Sequence, residues 1–288
     1  MDSRPTTAHA HRRPGGARVG RIALVTGAAV VCALGITGAL DPSTQVADQT
    51  TEIQTANYGV QPGPLKASVK GVSQQKAPAW AKGLPADTTQ VLRTVRTNKW
   101  CDQIWCTRTE AWERVDGDWR IVTRGSGKDT RPMIVRSQVG QSSFASAASR
   151  RQGDMRTPSG VYGIITTFST TKERPTEMPW RRRLPTSVVS DASGKSYNTW
   201  VEVKGNSSGD RRMMSWGLWI DWNNPRLNLG RGERPVPGKG SGIFMHTSNP
   251  GAPFVPTAGC VQIGNPADMA WIVRWLEPDA NPRIVNNK

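Results

Sequence analysis

At 288 residues the chain can hold one or two domains, and its 36% hydrophobic content is enough for a packed core. A formal net charge of +16 and a pI near 10.5 predict salt-sensitive attraction to polyanions. The basic residues are spread along the chain apart from Arg12-Arg13 and Arg181-Arg182-Arg183, with no zinc spacing and no basic heptad region, which argues against nucleic acid and for an anionic cell wall or membrane surface.

Residues 1–21 form a basic leader in which Arg12, Arg13, Arg18 and Arg21 precede an uncharged stretch over residues 22–40, ended by Asp41-Pro42. This is the pattern of a signal segment or a membrane anchor, just long enough to cross a bilayer at ~1.5 Å per residue. Cleavage near Ala39 or Ala47 and retention as a single-pass anchor are both compatible with it, so the protein is expected on the outer side of the membrane, secreted or anchored. Cys32 lies inside the apolar run after Val31, a residue too bulky for a lipoprotein cleavage site. Residues 41–85 are rich in Thr, Gln, Ala, Pro, Gly and Lys without a period of two or 3.6, and read as a flexible tether. The apolar pieces around Val60 and Leu65 are too sparse for a second core, leaving one folded domain over residues 86–288.

That domain reads as mainly β. A first strand is expected from Thr89 to Thr97, and a hairpin from Thr109–Val115 and Trp119–Thr123 around Asp116-Gly117, a dipeptide suited to the positive backbone angles of a two-residue turn. Cys101 and Cys106 sit close together in Trp-Cys-Asp-Gln-Ile-Trp-Cys, where an oxidising compartment favours a disulfide. A metal site is the competing reading, but the spacing is unusual for zinc and no second pair follows. Further strands are expected at Met133–Val139, Val161–Phe168, Thr199–Val203 and Ser215–Trp222, the last placing Trp216, Leu218, Ile220 and Trp222 on one face. Arg181-Arg182-Arg183 reads as a solvated loop, and Trp216, Trp219 and Trp222 as core or rim packing. One helix is expected, with Asn265 as cap, Pro266 at its first position, and Met269, Ile272, Val273 and Leu276 at helical spacing up to Glu277-Pro278.

Between those elements lie His246, the only histidine beyond residue 11, and Cys260, fourteen positions later and without an obvious disulfide partner. A thiol nucleophile needs an imidazole that takes its proton and later returns it, so the pair points to covalent acyl transfer. A neighbouring imidazolium is expected to stabilise the thiolate and lower the cysteine's pKa.

The run Arg150-Arg151-Gln152-Gly153-Asp154-Met155-Arg156-Thr157-Pro158-Ser159-Gly160-Val161-Tyr162 resembles the early signature of the L,D-transpeptidase (YkuD-like) family, close to K-R-E-G-D-x-x-T-P-x-G-x-F/Y. Gly240-Ser241-Gly242-Ile243-Phe244-Met245-His246 and Thr257-Ala258-Gly259-Cys260-Val261 are similar to that family's histidine and cysteine motifs, about ninety residues further on. The resemblance covers roughly Ser137 to Leu276 and implies a β-sandwich or barrel with a few short helices, one of them after the cysteine. It also implies Cys260 as nucleophile, His246 as general base and acid, Gly259 and Cys260 as oxyanion-hole N–H donors, and Thr247 as the residue whose backbone carbonyl orients the imidazole. Thr157, Pro158 and Gly160 match an architectural turn before a strand.

The activity so implied is attack on residue three of a peptidoglycan tetrapeptide stem, release of D-alanine, and transfer of the acyl group to the side-chain amine of another stem in a three-to-three crosslink, with no metal or organic cofactor. Water as acceptor would make the chain a carboxypeptidase, and a protein acceptor would make it a wall-attachment enzyme. A non-catalytic wall-binding module is a further alternative. Two departures bear on substrate handling. The family often has Ser-His or Ser-Arg before Gly-Cys and an arginine two positions after the cysteine, where this chain has Thr257-Ala258 and Gln262. Gln152 also replaces the usual glutamate. Without that arginine, a substrate carboxylate has no assigned partner.

Overall fold

The computed structural model describes residues 78–204, 214–224, 234–248 and 254–287; the apolar segment 22–40, Cys32, Val60 and Leu65 lie outside them. Among the described residues no helix is long and apolar enough to cross a membrane. Eleven strands form one sheet. Its path runs through Trp180–Arg182, Ile164–Ser169, Trp216–Ile220, Phe244–Thr247, Val261–Ile263, Ile134–Gln138, Cys106–Val115, Gln90–Arg96, Arg283–Asn286 and Gly160–Tyr162 in order, with Asp118–Ile121 pairing beside Cys106–Val115.

The expected single strand over 161–168 is divided at Gly163. Its first part pairs with Arg283–Asn286 at one end of the sheet and its second with Trp216–Ile220 near the other. Two ends of the path joined through one residue force the sheet to curl toward closure, so the fold is a curled, mainly β architecture. The hinge is held by Asp221, whose carboxylate accepts from Gly163 N–H at 2.8 Å while its own N–H donates to the Gly163 carbonyl at 3.2 Å.

Both faces of this sheet are covered. Strand Trp216–Ile220 sends Leu218 and Ile220 into the main core and Trp219 into a second cluster with Phe168 and Phe244, so the alternation that marks one apolar face conceals a second. The main core is completed by the helix Pro266–Trp275, which packs against the three strands Trp216–Ile220, Phe244–Thr247 and Val261–Ile263 through Met269, Ile272 and Val273. Its start follows the capping rule, with Asn265 Oδ1 accepting from Ala267 N–H at 2.9 Å and Pro266 at the first position.

Other elements depart from the sequence-based expectation. The strand expected at Thr199–Val203 forms Thr199–Glu202, in a separate hairpin with Ser187–Ser190 outside the main sheet. Arg181 and Arg182 are exposed in the edge strand Trp180–Arg182, whereas Arg183 is buried, so the triple-arginine run is not simply a solvated loop. The hairpin around Asp116-Gly117 has the expected turn, with φ of 52° and 89° at the two residues. Packed structure begins ahead of residue 86. Trp80 is buried between Trp112 and Trp119, with ring centroids 5.2 and 5.4 Å away, in one apolar cluster with Val91 of strand Gln90–Arg96.

Candidate active site

His246 lies in the fully buried strand Phe244–Thr247, and Cys260 immediately precedes the parallel neighbour Val261–Ile263. In that register Met245 stands opposite Val261 and His246 opposite Gln262. Side chains alternate along a strand, so Met245 and Val261 face the helix and core while Phe244, His246, Cys260 and Gln262 share the other face. Parallel pairing thus brings together two residues fourteen apart in sequence.

The imidazole Nδ1 lies 2.8 Å from the Thr247 carbonyl oxygen. A carbonyl can only accept, so Nδ1 carries the hydrogen and Nε2 is left with its lone pair, the form needed to take a proton from a thiol. This contact is made by the Thr247 backbone. Its side chain adds a structural link that the sequence did not suggest: Oγ1, buried, accepts from Ser215 N–H at 2.9 Å and anchors the neighbouring strand.

Around Cys260, the Phe244 N–H donates to Sγ at 3.4 Å and the Gly242 carbonyl lies 3.5 Å from Sγ as acceptor for the thiol hydrogen. Burial nevertheless dominates: it pushes the thiol up to about 11, against opposing help from the Phe244 N–H and the Arg150 guanidinium. Burial also pushes His246 down to about 4, with the Thr247 carbonyl acting in the other direction and Arg183 reinforcing the fall. The resting pair is therefore uncharged near neutrality. This revises the expected thiolate–imidazolium pair, since low-dielectric surroundings disfavour both charged forms.

The turn before Cys260 is built by two threonines. Thr257 Oγ1 donates to the Cys260 carbonyl at 2.6 Å and accepts from Gly259 N–H at 3.1 Å. Thr157 Oγ1, buried and from the early motif, donates to the Gly259 carbonyl at 2.8 Å and accepts from Gly140 N–H at 2.9 Å. Of the two expected oxyanion donors, Gly259 N–H is thus already engaged by Thr257, and Cys260 N–H makes no hydrogen bond among the described residues. Gly259 is required at its position: φ is 138°, and a Cβ there would lie 2.8 Å from the Arg156 carbonyl and 3.0 Å from Arg150 Nη2.

The early motif is joined to the loop before His246 as well. Tyr197 Oη donates to Gln152 Oε1 at 2.6 Å and accepts from Gly240 N–H at 3.2 Å, and Asn198 Oδ1 accepts from Gly242 N–H at 2.9 Å. Gln152, the neutral replacement for the usual acid, thereby serves as the acceptor for a buried-side phenol. Gln262 is buried beside His246 in register, opposite Gln138 on its other flank. Cys101 and Cys106 are joined as a disulfide with Cα atoms 5.9 Å apart at the start of strand Cys106–Val115, and Cys260 is a free cysteine. Arg150 and the two threonine braces are the parts of this site that residue type alone did not single out.

The family model of the L,D-transpeptidase catalytic domain, YkuD, matches residues 125–285, more than half of the chain. No curated protein and no solved structure shows a significant match.

Proposed function

Because the chain belongs to the L,D-transpeptidase (YkuD) family, we propose that it crosslinks peptidoglycan through a thioester on Cys260. The observation that carries this reading is the tautomer lock: the Thr247 carbonyl holds Nδ1–H, which leaves Nε2 as a base on the sheet face that also bears the Cys260 thiol. Nε2 takes the thiol proton as sulfur attacks the carbonyl carbon of residue three of a tetrapeptide stem. Negative charge then moves to the substrate oxygen, for which Cys260 N–H is the available donor. Collapse breaks the C–N bond, and His246 returns its proton to the departing amine of D-alanine. The side-chain amine of a second stem next attacks the thioester, gives a proton to His246 and expels the sulfur, which is reprotonated. Every proton passes through one imidazole, so the scheme balances without a cofactor.

A strongly basic chain with an export-type leader fits an anionic wall as its place of action, outside the cytoplasm, held by residues 22–40 if they are not cleaved. Intact mass spectrometry of the protein and its Cys260→Ala variant with a disaccharide-tetrapeptide tests the proposal, with a carbapenem as a second probe. A Cys260-dependent acyl adduct, loss of D-alanine and a crosslinked dimer are expected. D-alanine release without a dimer would instead make the chain a carboxypeptidase. A folded protein labelled by neither probe would leave only a wall-binding role.

A further inference from the structure

Arg150 is 2% exposed, and its guanidinium lies beneath the turn that carries the nucleophile. Two glycines make room for it. A Cβ on Gly259 would stand 3.0 Å from Nη2, and one on Gly240 would stand 3.2 Å from both Cζ and Nη2; both positions have positive φ, 138° and 107°. The loops before His246 and before Cys260 are therefore moulded on the same cation. Its only ion pair among the described residues is with Asp154, 2.7 Å from Nη1, and Nε has no hydrogen-bond partner there. Asp154 is shared further, accepting from Arg151 N–H at 2.8 Å and Arg156 N–H at 3.0 Å. Burying a guanidinium is costly, and a single, partly exposed and shared carboxylate leaves much of its positive field uncompensated.

We infer that Arg150 is a positioning residue for the nucleophile: its guanidinium, fixed under the Gly259–Cys260 turn, stabilises the negative charge that develops on the Cys260 sulfur during attack. The inference rests on Cys260 being the nucleophile of the proposed reaction. The other charged or titratable groups around the sulfur do not supply this field. His246 is neutral in the resting state, and Arg183 acts on His246. Tyr197 is kept protonated by burial, against the hydrogen bonds at its hydroxyl and the Arg150 charge, while Asp154 opposes any thiolate. The attraction between Arg150 and Cys260 acts in both directions, favouring the thiolate and the guanidinium alike.

The test is the rate of Cys260 alkylation by iodoacetamide, followed by intact mass from about pH 7 to about pH 9, alongside tetrapeptide turnover; a tenfold change in rate corresponds to about one unit in thiol pKa. Arg150→Met is expected to slow alkylation about tenfold and to lower kcat with KM little changed, and Arg150→Lys to recover most of both. Asp154→Asn, which keeps an acceptor at Oδ1 but removes the opposing charge, is expected to speed alkylation. A folded Arg150→Met with wild-type alkylation, or an Arg150→Lys as slow as Arg150→Met, overturns the inference. If Arg150→Met does not fold, Asp154→Asn decides: faster alkylation supports the role, and unchanged or slower alkylation overturns it. A wild-type Cys260 inert to both iodoacetamide and tetrapeptide would overturn the proposed function itself, and this inference with it.

Discussion

Changing pH probes the uncharged resting pair most directly. With His246 held at about 4 and Cys260 at about 11, moving the proton from sulfur to imidazole is uphill by 11 − 4 = 7 pH units, on the order of 10 kcal/mol before the attraction of the resulting charges returns part of it. The proton should therefore move only during attack. Acylation of Cys260 by a carbapenem is expected to have a pH-independent second-order rate constant from about pH 5.5 to about pH 9, without thiolate absorbance near neutrality. The same burial has a stability signature. His246 falls from its ordinary 6.5 to about 4, so the unfolded chain binds the proton first as pH drops. Stability present above the unfolded value is then lost as pH falls toward the folded one. The loss is 6.5 − 4 = 2.5 pH units, about 3 kcal/mol. In urea denaturation at about pH 7 and about pH 4, His246→Gln should lose about 3 kcal/mol less than the wild type, with the carboxylates cancelling in the comparison. A limb in the acylation profile between about pH 6 and about pH 8, or parallel stability curves for the two proteins, would refute the reasoning.

Three further outcomes follow from named contacts. Thr157→Val leaves the Gly259 carbonyl and the Gly140 N–H without their buried partner; a loss of about 2–4 kcal/mol in urea titrations and at least about tenfold slower acylation are expected, with Thr157→Ser restoring both. Gly259→Ala combines a strained φ of 138° with a Cβ 2.8 Å from the Arg156 carbonyl, and should remove Cys260 acylation at a stability cost of about 1–3 kcal/mol or more; wild-type acylation would show that the turn can shift. Trp80→Ala should cost about 3–5 kcal/mol in thermal or chemical denaturation, because Trp80 is 7% exposed between two tryptophans. An effect below about 1 kcal/mol would place it outside the core.

Local signals were legible where chemistry is local. Asn265-Pro266 and the helical spacing after it located the helix, and Asp116-Gly117 located the hairpin turn. The strands Phe244–Thr247 and Val261–Ile263 carried no such signal, being four and three residues long and buried on both faces, where alternation disappears. Gly163 was hidden for a different reason: its neighbours read as one strand, and only the pairing of each part with a distant partner separates them. Motif spacing pointed to His246 and Cys260, but their charge state was not legible, since burial depends on what the rest of the chain packs around them. The reading of Arg181-Arg182-Arg183 as solvent-facing failed at Arg183 because composition cannot tell which side of an edge strand ends inward.

The separation of the family signature into an early and a late motif has a physical reading in this fold. The late motif carries His246 and Cys260, and the turn before Cys260 is shaped from both motifs: by Thr257 within the late one, and by the Thr157 hydroxyl on the Gly259 carbonyl and the Arg156 carbonyl and Arg150 guanidinium against Gly259 from the early one. Gln152 reaches the other loop through Tyr197 and Gly240. A thiol held this deeply neutral gains nucleophilicity only from dipoles and charges that are already in place when the proton leaves. Two of those act on the sulfur here, the Phe244 N–H and the Arg150 cation, and only the second lies outside the strand that bears His246. The early motif is thus the floor of the site, and Thr157 and Arg150 are held to their identities by close approach to the turn before Cys260.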